Sequence, residues 1–379
     1  MSRSRRLRLP TRPFPRHLLF ALVAAAGFYG LTSVLSDYDN YRLGEIALYA
    51  VALAGLSVLT GMNGQISLGH GALMAVGAYT TALLMTHTQL NFVVELLAAV
   101  AVTTAMGVVV GIPATRLKGP YLAGMTLILA LGLPLLADKY SATFGGDQGL
   151  STNSPTPPGS ISAYEWLTWI EILGALITLL LLANLLRSRF GRSFRAVRDD
   201  EIAASLAGIH VARTKVIAFA VSAGCAGLAG AFLGVSTGVV STGEFPLSLS
   251  IGILAGMVLG GAGSLMGVWW GAVALVYLPD WSTSISKSFS LGNGVSAYLA
   301  TIIYGVVLIV VMLLAPSGIQ GGLRRGASEI KAFIRRRRGD SVTDELQESE
   351  GPAMATVGSG GPEGGWSRGE GPATERTDP

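Results

Sequence analysis

Charge is scarce in this sequence. Asp, Glu, Lys and Arg make up only 13% of its 379 residues, about half the share usual in soluble domains. Half the residues are hydrophobic and the mean hydropathy is +0.53. A soluble core of this length needs no such excess, so the composition points to a membrane protein. There is one cysteine, Cys225, which excludes an intrachain disulfide and a cysteine metal site. His17, His70, His87 and His210 lie on unrelated segments, and neither a zinc spacing nor a Gly-x-Ser-x-Gly turn occurs. The chain also lacks a Gly-x-x-x-x-Gly-Lys-Ser/Thr phosphate loop, so it does not hydrolyse ATP itself. Nothing calls for a metal or a cofactor, and an enzyme is disfavoured.

What is abundant is glycine, fifty residues, many of them inside apolar runs, where small residues let helices approach closely in lipid. The chain is organised around one such stretch, Gly61-Met62-Asn63-Gly64-Gln65-Ile66-Ser67-Leu68-Gly69-His70-Gly71, continuing to Gly77-Ala78-Tyr79. It lies between two apolar runs long enough to cross a bilayer. Polar groups there must face protein or water. A span interrupted by glycine and amides is how membrane transporters open backbone to a passing solute. Asn63, Gln65, Ser67 and His70 are therefore candidate pathway residues. The alternative is that these side chains cap helix ends and that His70 is a hydrogen-bonded packing residue. Tyr79 and Tyr121 are candidates to meet solute, or else core and interface tyrosines.

The fold class expected is all-α, a polytopic transmembrane bundle of about ten crossings with broken or re-entrant helices. Residues 1–17 carry six arginines and no acid, which keeps this arm in the cytoplasm. Nucleic-acid or lipid binding by the arm is the lesser alternative, and a cleaved signal ending near Ala24-Ala25-Ala26 is another. The membrane domain covers 18–315, with spans expected at 18–35, 43–59, 66–85, 92–114, 121–137, 166–186, 216–235 and 297–314. The external loop 138–165 holds Asp138, Asp147 and Glu165 and reads as turns without a regular element, either a solvated connector or a docking surface. Residues 249–278 are unbroken in hydrophobicity but marked by Gly260-Gly261-Ala262-Gly263-Ser264. Parity requires an even number of crossings there, because the later cluster Arg335 to Arg338 belongs inside. Two short helices, or a dip and return, satisfy this, and put the Gly260-Gly261 break on the same inner side as the Gly61 break. Residues 316–379 form a basic and then disordered cytoplasmic tail.

The most basic internal loop, 187–215, contains Arg198-Asp199-Asp200-Glu201-Ile202-Ala203-Ala204-Ser205-Leu206-Ala207-Gly208-Ile209. Composition favours a short helix here, with Asp199 and Asp200 complementing its dipole and Gly208 placed to end it. Ile202, Leu206 and Ile209 fall on one stripe. One short helix cannot bury that stripe alone, so it lies on the membrane surface or docks into another subunit. In the spans, Glu45, Glu95 and Glu171 fall within about a turn of an expected outer boundary, where they can reach water. No Asp, Glu, Lys or Arg is expected near a midplane, which disfavours proton coupling while leaving sodium coupling through hydroxyls and carbonyls open.

These motifs resemble the membrane subunits of branched-chain amino-acid ABC importers, of the second permease type. The resemblance covers about residues 45 to 320: Gly-Gln-Ile-Ser-Leu-Gly-His at 64–70, Leu117-Lys118-Gly119-Pro120-Tyr121, Gly145-Gly146-Asp147-Gln148-Gly149, the 187–215 loop and the Gly260 to Ser264 run. Pro120 and Leu133-Pro134 depart from the usual pattern. In that family an acidic residue, two alanines and a following glycine sit in the groove of an ATPase subunit. Ala203, Ala204 and Gly208 keep that spacing and Ile209 follows, while Glu201 stands one place early. The resemblance implies import of leucine, isoleucine, valine or a related small polar solute across the plasma membrane. It also implies two ABC ATPase subunits, a second permease subunit and an extracytoplasmic solute-binding protein, with both termini cytoplasmic and no nucleic acid involved. Gly260 and Gly261, on the same inner side as the first break, complete the candidate pathway. The competing reading is an ion-coupled secondary transporter or a channel for small amino acids or amides such as urea.

Overall fold

The computed structural model describes residues 27–28, 30, 32, 35–88, 90–117, 119–159 and 161–288, and then 299, 302, 305–306, 309–310, 313 and 318–322. The expected arm 1–17 and most of the tail 316–379 lie outside these residues, as do most of the expected spans 18–35 and 297–314. The described chain is a helical bundle, as the composition requires. Helix α1 (Asp37–Leu56) runs into a π-helical segment (Ser57–Met62), followed by α2 (His70–His87), α3 (Phe92–Ala114), α4 (Pro120–Lys139) and the single turn α5 (Ser141–Phe144). After these come α6 (Ala163–Arg187), α7 (Arg189–Asp199), α8 (Glu201–Leu206), α9 (Val211–Thr237), α10 (Leu247–Gly260) and α11 (Gly267–Ser288).

The helix ends follow their sequence signals. Ser36 accepts the Asp39 N–H at 3.3 Å ahead of an acidic first turn, and Asn91 accepts the Val93 N–H at 3.0 Å at the start of α3. Pro120 opens α4 directly after Gly119, and α9 stops at Gly238 in the left-handed region. Among the described residues, six helical stretches are long and apolar enough to cross a membrane: Asp37–Met62, Phe92–Ala114, Pro120–Lys139, Ala163–Arg187, Val211–Thr237 and Thr242–Gly260. The 23 residues of α3 extend about 35 Å at 1.5 Å per residue, enough for a hydrocarbon core of about 30 Å.

α9 is the central post, packed along α3, α2 and α1, while α1 also packs against α6 and α11. Close approach comes from small residues. At Gly77 a side chain would strike the Gly227 backbone, and at Gly230 it would strike Met74, so α2 and α9 touch backbone to backbone. The α4 face bearing Tyr121, Ile128, Leu131 and Leu135 is exposed in this chain, as suits a surface that meets lipid or another subunit.

The 249–278 region is two helices, as expected. α10 ends at Gly260, Gly261 breaks the chain at φ +113, and α11 returns against α10, with Gly260 packed on Gly267. The external loop differs from expectation, because it does contain regular structure. Leu150–Ser151 (β1) pairs antiparallel with Val239–Val240 (β2), in register Leu150 to Val240 and Ser151 to Val239. The Thr152 hydroxyl donates to the Gly234 carbonyl at 2.6 Å, and the Thr152 N–H to that of Gly238 at 2.9 Å. The carbonyls left unpaired at the end of α9 thereby gain partners in the loop. The acids also differ from expectation: Glu95 and Glu171 are buried rather than facing water. Glu171 accepts a hydrogen bond from the Ser236 hydroxyl, beside Gly44, where the missing side chain leaves it room.

Candidate functional site

The first break begins where α1 widens into the π-helical turn, and helix order is lost from Asn63 to Gly69. Gly64 takes φ +77, a backbone conformation open to glycine at little cost. α2 then starts at His70, later than the position 66 expected. The groups freed by the break are taken up by side chains from elsewhere. The Leu68 N–H donates to Thr126 Oγ1 at 2.9 Å, and the Gly71 N–H to Ser250 Oγ at 3.0 Å. Thr60 Oγ1 donates to the Gln65 carbonyl at 2.9 Å. Arg198 Nη1 donates to the Gly61 carbonyl, a cation placed at the negative end of a helix.

The polar side chains of the break are turned into the protein. Asn63, Gln65, Ser67 and His70 are all buried. Gln65 Nε2 donates to Asn63 Oδ1 and to the Lys215 carbonyl, the latter at 3.3 Å. Ser67 Oγ accepts the Gly69 N–H at 3.4 Å, and His70 Nε2 donates to the Ala52 carbonyl at 2.9 Å. Tyr79 is buried edge-on against Phe144, with ring centroids 5.3 Å apart. Tyr121 does not join this group, standing 78% exposed at the start of α4. The second break meets the first: the Gly263 N–H donates to Ser57 Oγ at 3.0 Å, and Gly61 leaves no room for a side chain against Gly263. Gly260 and Gly261 are buried beside this junction.

The internal loop folds as its composition suggests. Asp200 caps α8, its Oδ1 accepting the N–H groups of Ile202 at 2.7 Å and Ala203 at 3.0 Å. At the other end Gly208 sits at φ +81, the Ile209 N–H returns to the Ala204 carbonyl at 3.0 Å and the Gly208 N–H to that of Ser205 at 3.0 Å. That is a Schellman closure. Ala204 is buried and Ala203 exposed, while Ile202 is 71% and Leu206 84% exposed, an apolar ridge left uncovered among the described residues. Ile209 lies past the end of the helix and is half-buried, so the stripe is two residues rather than three. Glu201 turns inward to Lys215, with Oε1 to Nζ at 2.6 Å, and Lys215 is only 4% exposed.

The sequence reading passed over Arg198, Lys215, Thr126 and Ser250. Arg198 and Lys215 entered it only as positive charges fixing topology. Thr126 and Ser250 sit within apolar runs and give no signal in one dimension.

A break held by distant side chains thus meets a second glycine break, and a helix capped at both ends lies on the 187–215 loop. The profile of a family described as the branched-chain amino acid transport system permease component matches residues 41–312. The chain belongs to this family. Among curated relatives of the permease are the high-affinity branched-chain amino acid transport system permease proteins LivM of Salmonella typhimurium and of Escherichia coli. They are 33% and 31% identical over 297 residues, covering 72% of this chain and 67% of each relative. BraD of Pseudomonas aeruginosa, with the same description, is 27% identical over 300 residues, covering 72% of this chain and 91% of that one. No solved structure matches the permease. The matched region contains both breaks and the 187–215 loop, and the permease is a multi-pass membrane protein.

Proposed function

We propose that this chain is the membrane-spanning subunit of an ATP-driven ABC importer that moves leucine, isoleucine, valine or a related small polar solute across the plasma membrane. The observation that carries this reading is α8: a helix closed at both ends, with Ile202 and Leu206 exposed among the described residues. Exposed apolar residues on a rigid, capped turn are suited to the groove of a partner. The family, and relatives named as branched-chain amino acid permeases, supply the solute class. On this reading the partners are two ABC ATPase subunits docking at Ala203, Gly208 and the exposed Ile202 and Leu206, with Ala204 packed beneath them, a second permease subunit and an extracytoplasmic solute-binding protein. The arginine-rich 187–215 loop and both termini face the cytoplasm.

Solute passes beside the junction of the two breaks once it opens. Among the described residues Asn63 Nδ2, Gln65 Oε1 and His70 Nδ1 are buried without a hydrogen-bond partner, which leaves donor and acceptor capacity for a polar solute in another state. Gly260 and Gly261 sit at the same junction, while Tyr79 lies further along α2 against Phe144.

The test is co-purification with candidate ATPase subunits and solute uptake in proteoliposomes carrying leucine outside. Leu206→Glu is expected to abolish association and ATP-dependent uptake. Uptake without any ATPase subunit, or unchanged association in the variant, overturns the reading in favour of ion coupling.

A further inference from the structure

The α8 helix and the first break are tied together twice, both times at the N-terminal end of α8. Ahead of it, Arg198 in the last turn of α7 donates to the Gly61 carbonyl, and the same side chain lies against Gly64. Within it, Glu201 pairs with Lys215 in the second turn of α9, at 2.6 Å. The Lys215 carbonyl in turn accepts from Gln65 Nε2 at 3.3 Å, and Gln65 holds Asn63. The two ties therefore land on residues 61 and 65, either side of Gly64 at its φ of +77. Gly61 is also the residue against which Gly263 packs, and Ser57, one turn earlier, holds the Gly263 N–H.

We propose that Arg198 and the Glu201–Lys215 pair are positioning residues that convert displacement of α8 into opening of the Gly61–Gly263 junction. The physical basis is the stiffness of each tie. Lys215 is nearly fully buried, so its charge has few alternatives to Glu201, and moving α8 without moving α9 would strand it. Arg198 supplies a charged donor to a carbonyl that the break leaves without its helical partner. The hinge itself is soft, since glycine occupies 61, 64, 69 and 71 and a π-helical turn precedes it. Stiff ties on a soft hinge direct motion to the hinge.

This inference rests on the importer reading and deepens it, so its test separates the two. The wild-type chain and Arg198→Ala, each purified with the ATPase subunits, are reconstituted and compared for association, ATP turnover and solute moved per ATP. Arg198→Ala is expected to keep association and ATP turnover while transport per ATP falls at least about fivefold, the low end of ordinary coupling between sites. Arg198→Lys, which still offers a charged donor, is expected to recover most of it. Exchange of the pair by Glu201→Lys with Lys215→Glu is expected to transport better than either single change. Unchanged transport per ATP in Arg198→Ala overturns the proposal. Loss of association, or equal loss of ATP turnover and transport with no recovery in Arg198→Lys, overturns it too, by assigning Arg198 to docking or folding. If the wild-type chain itself fails to associate, the importer reading falls first.

Discussion

The hydroxyl oxygen of Ser57 accepts the backbone N–H of Gly263 at 3.0 Å, across 206 residues of chain. The last turn of one helix is thereby bonded to the loop that interrupts another, and the two glycine-rich breaks form one junction. Gly61 completes it, since its α-carbon faces the Gly263 amide with no space for a methyl group.

Gly61→Ala should therefore destabilise the permease far more than its size suggests. The added carbon would press on backbone rather than on a side chain that can rotate, a cost of about 1–3 kcal/mol. Ser57→Ala should cost about 1–3 kcal/mol by leaving the Gly263 N–H without its acceptor. Thermal unfolding of detergent-purified protein checks both, and a Gly61→Ala protein as stable as wild type would show that the junction can separate freely.

Substitutions in α8 should separate folding from association. Gly208→Ala meets no atom within 4 Å, yet holds φ +81, which costs a residue with a β-carbon about 1–2 kcal/mol. The expected result is a frayed α8 and weaker ATPase binding with little change in global unfolding. Ala204→Glu, at a buried position beside the exposed ridge, should instead lower the unfolding temperature. Co-purification yield and melting curves, measured on the same preparations, distinguish the two.

Near the N-terminal end of α1, Gly44 and Glu171 should be energetically coupled. A methyl group at position 44 would collide with the Glu171 carboxylate and pull it from Ser236. Gly44→Ala and Glu171→Ala are each expected to destabilise, and the double variant to be less unstable than the two effects added. The expected interaction is about 0.5–3 kcal/mol in a double-mutant cycle. Simple additivity would place Glu171 out of contact.

A neighbouring ion pair should matter little. Arg42 bridges Glu45 at 3.2 Å and also reaches Asp280, whose side chain is 44% exposed. Asp280→Asn is expected to change unfolding free energy by no more than about 1 kcal/mol. A larger loss would mean that this pair fastens α11 to α1.

Sequence alone determined the class and most of the helices. α3 begins and ends where hydropathy placed it, at Phe92 and Ala114, and the turn between α10 and α11 falls at the Gly260-Gly261 pair that the sequence marks, although α11 runs on to Ser288, past the expected 278. α8 was legible because its signals are local: Asp200 before it, alanines within it and Gly208 after it. Burial of Glu95 and Glu171 was not legible, because hydropathy measures depth along a span and not which way a side chain points into its neighbours. The β1–β2 pairing escaped notice for a related reason: two residues on each strand carry no periodicity.

Tertiary structure alone decided what holds the break. Arg198 and Gly61 are 137 residues apart, Gln65 and Lys215 150, and none of these pairings leaves a spacing to read. They depend on how α1, α2, α7 and α9 cross, and that crossing is set by backbone contacts at Gly77, Gly227 and Gly230. Local preference and hydropathy act along the chain and so are written in its order. The bonds that join α7, α8 and α9 to the first break exist only once helices distant in that order have packed.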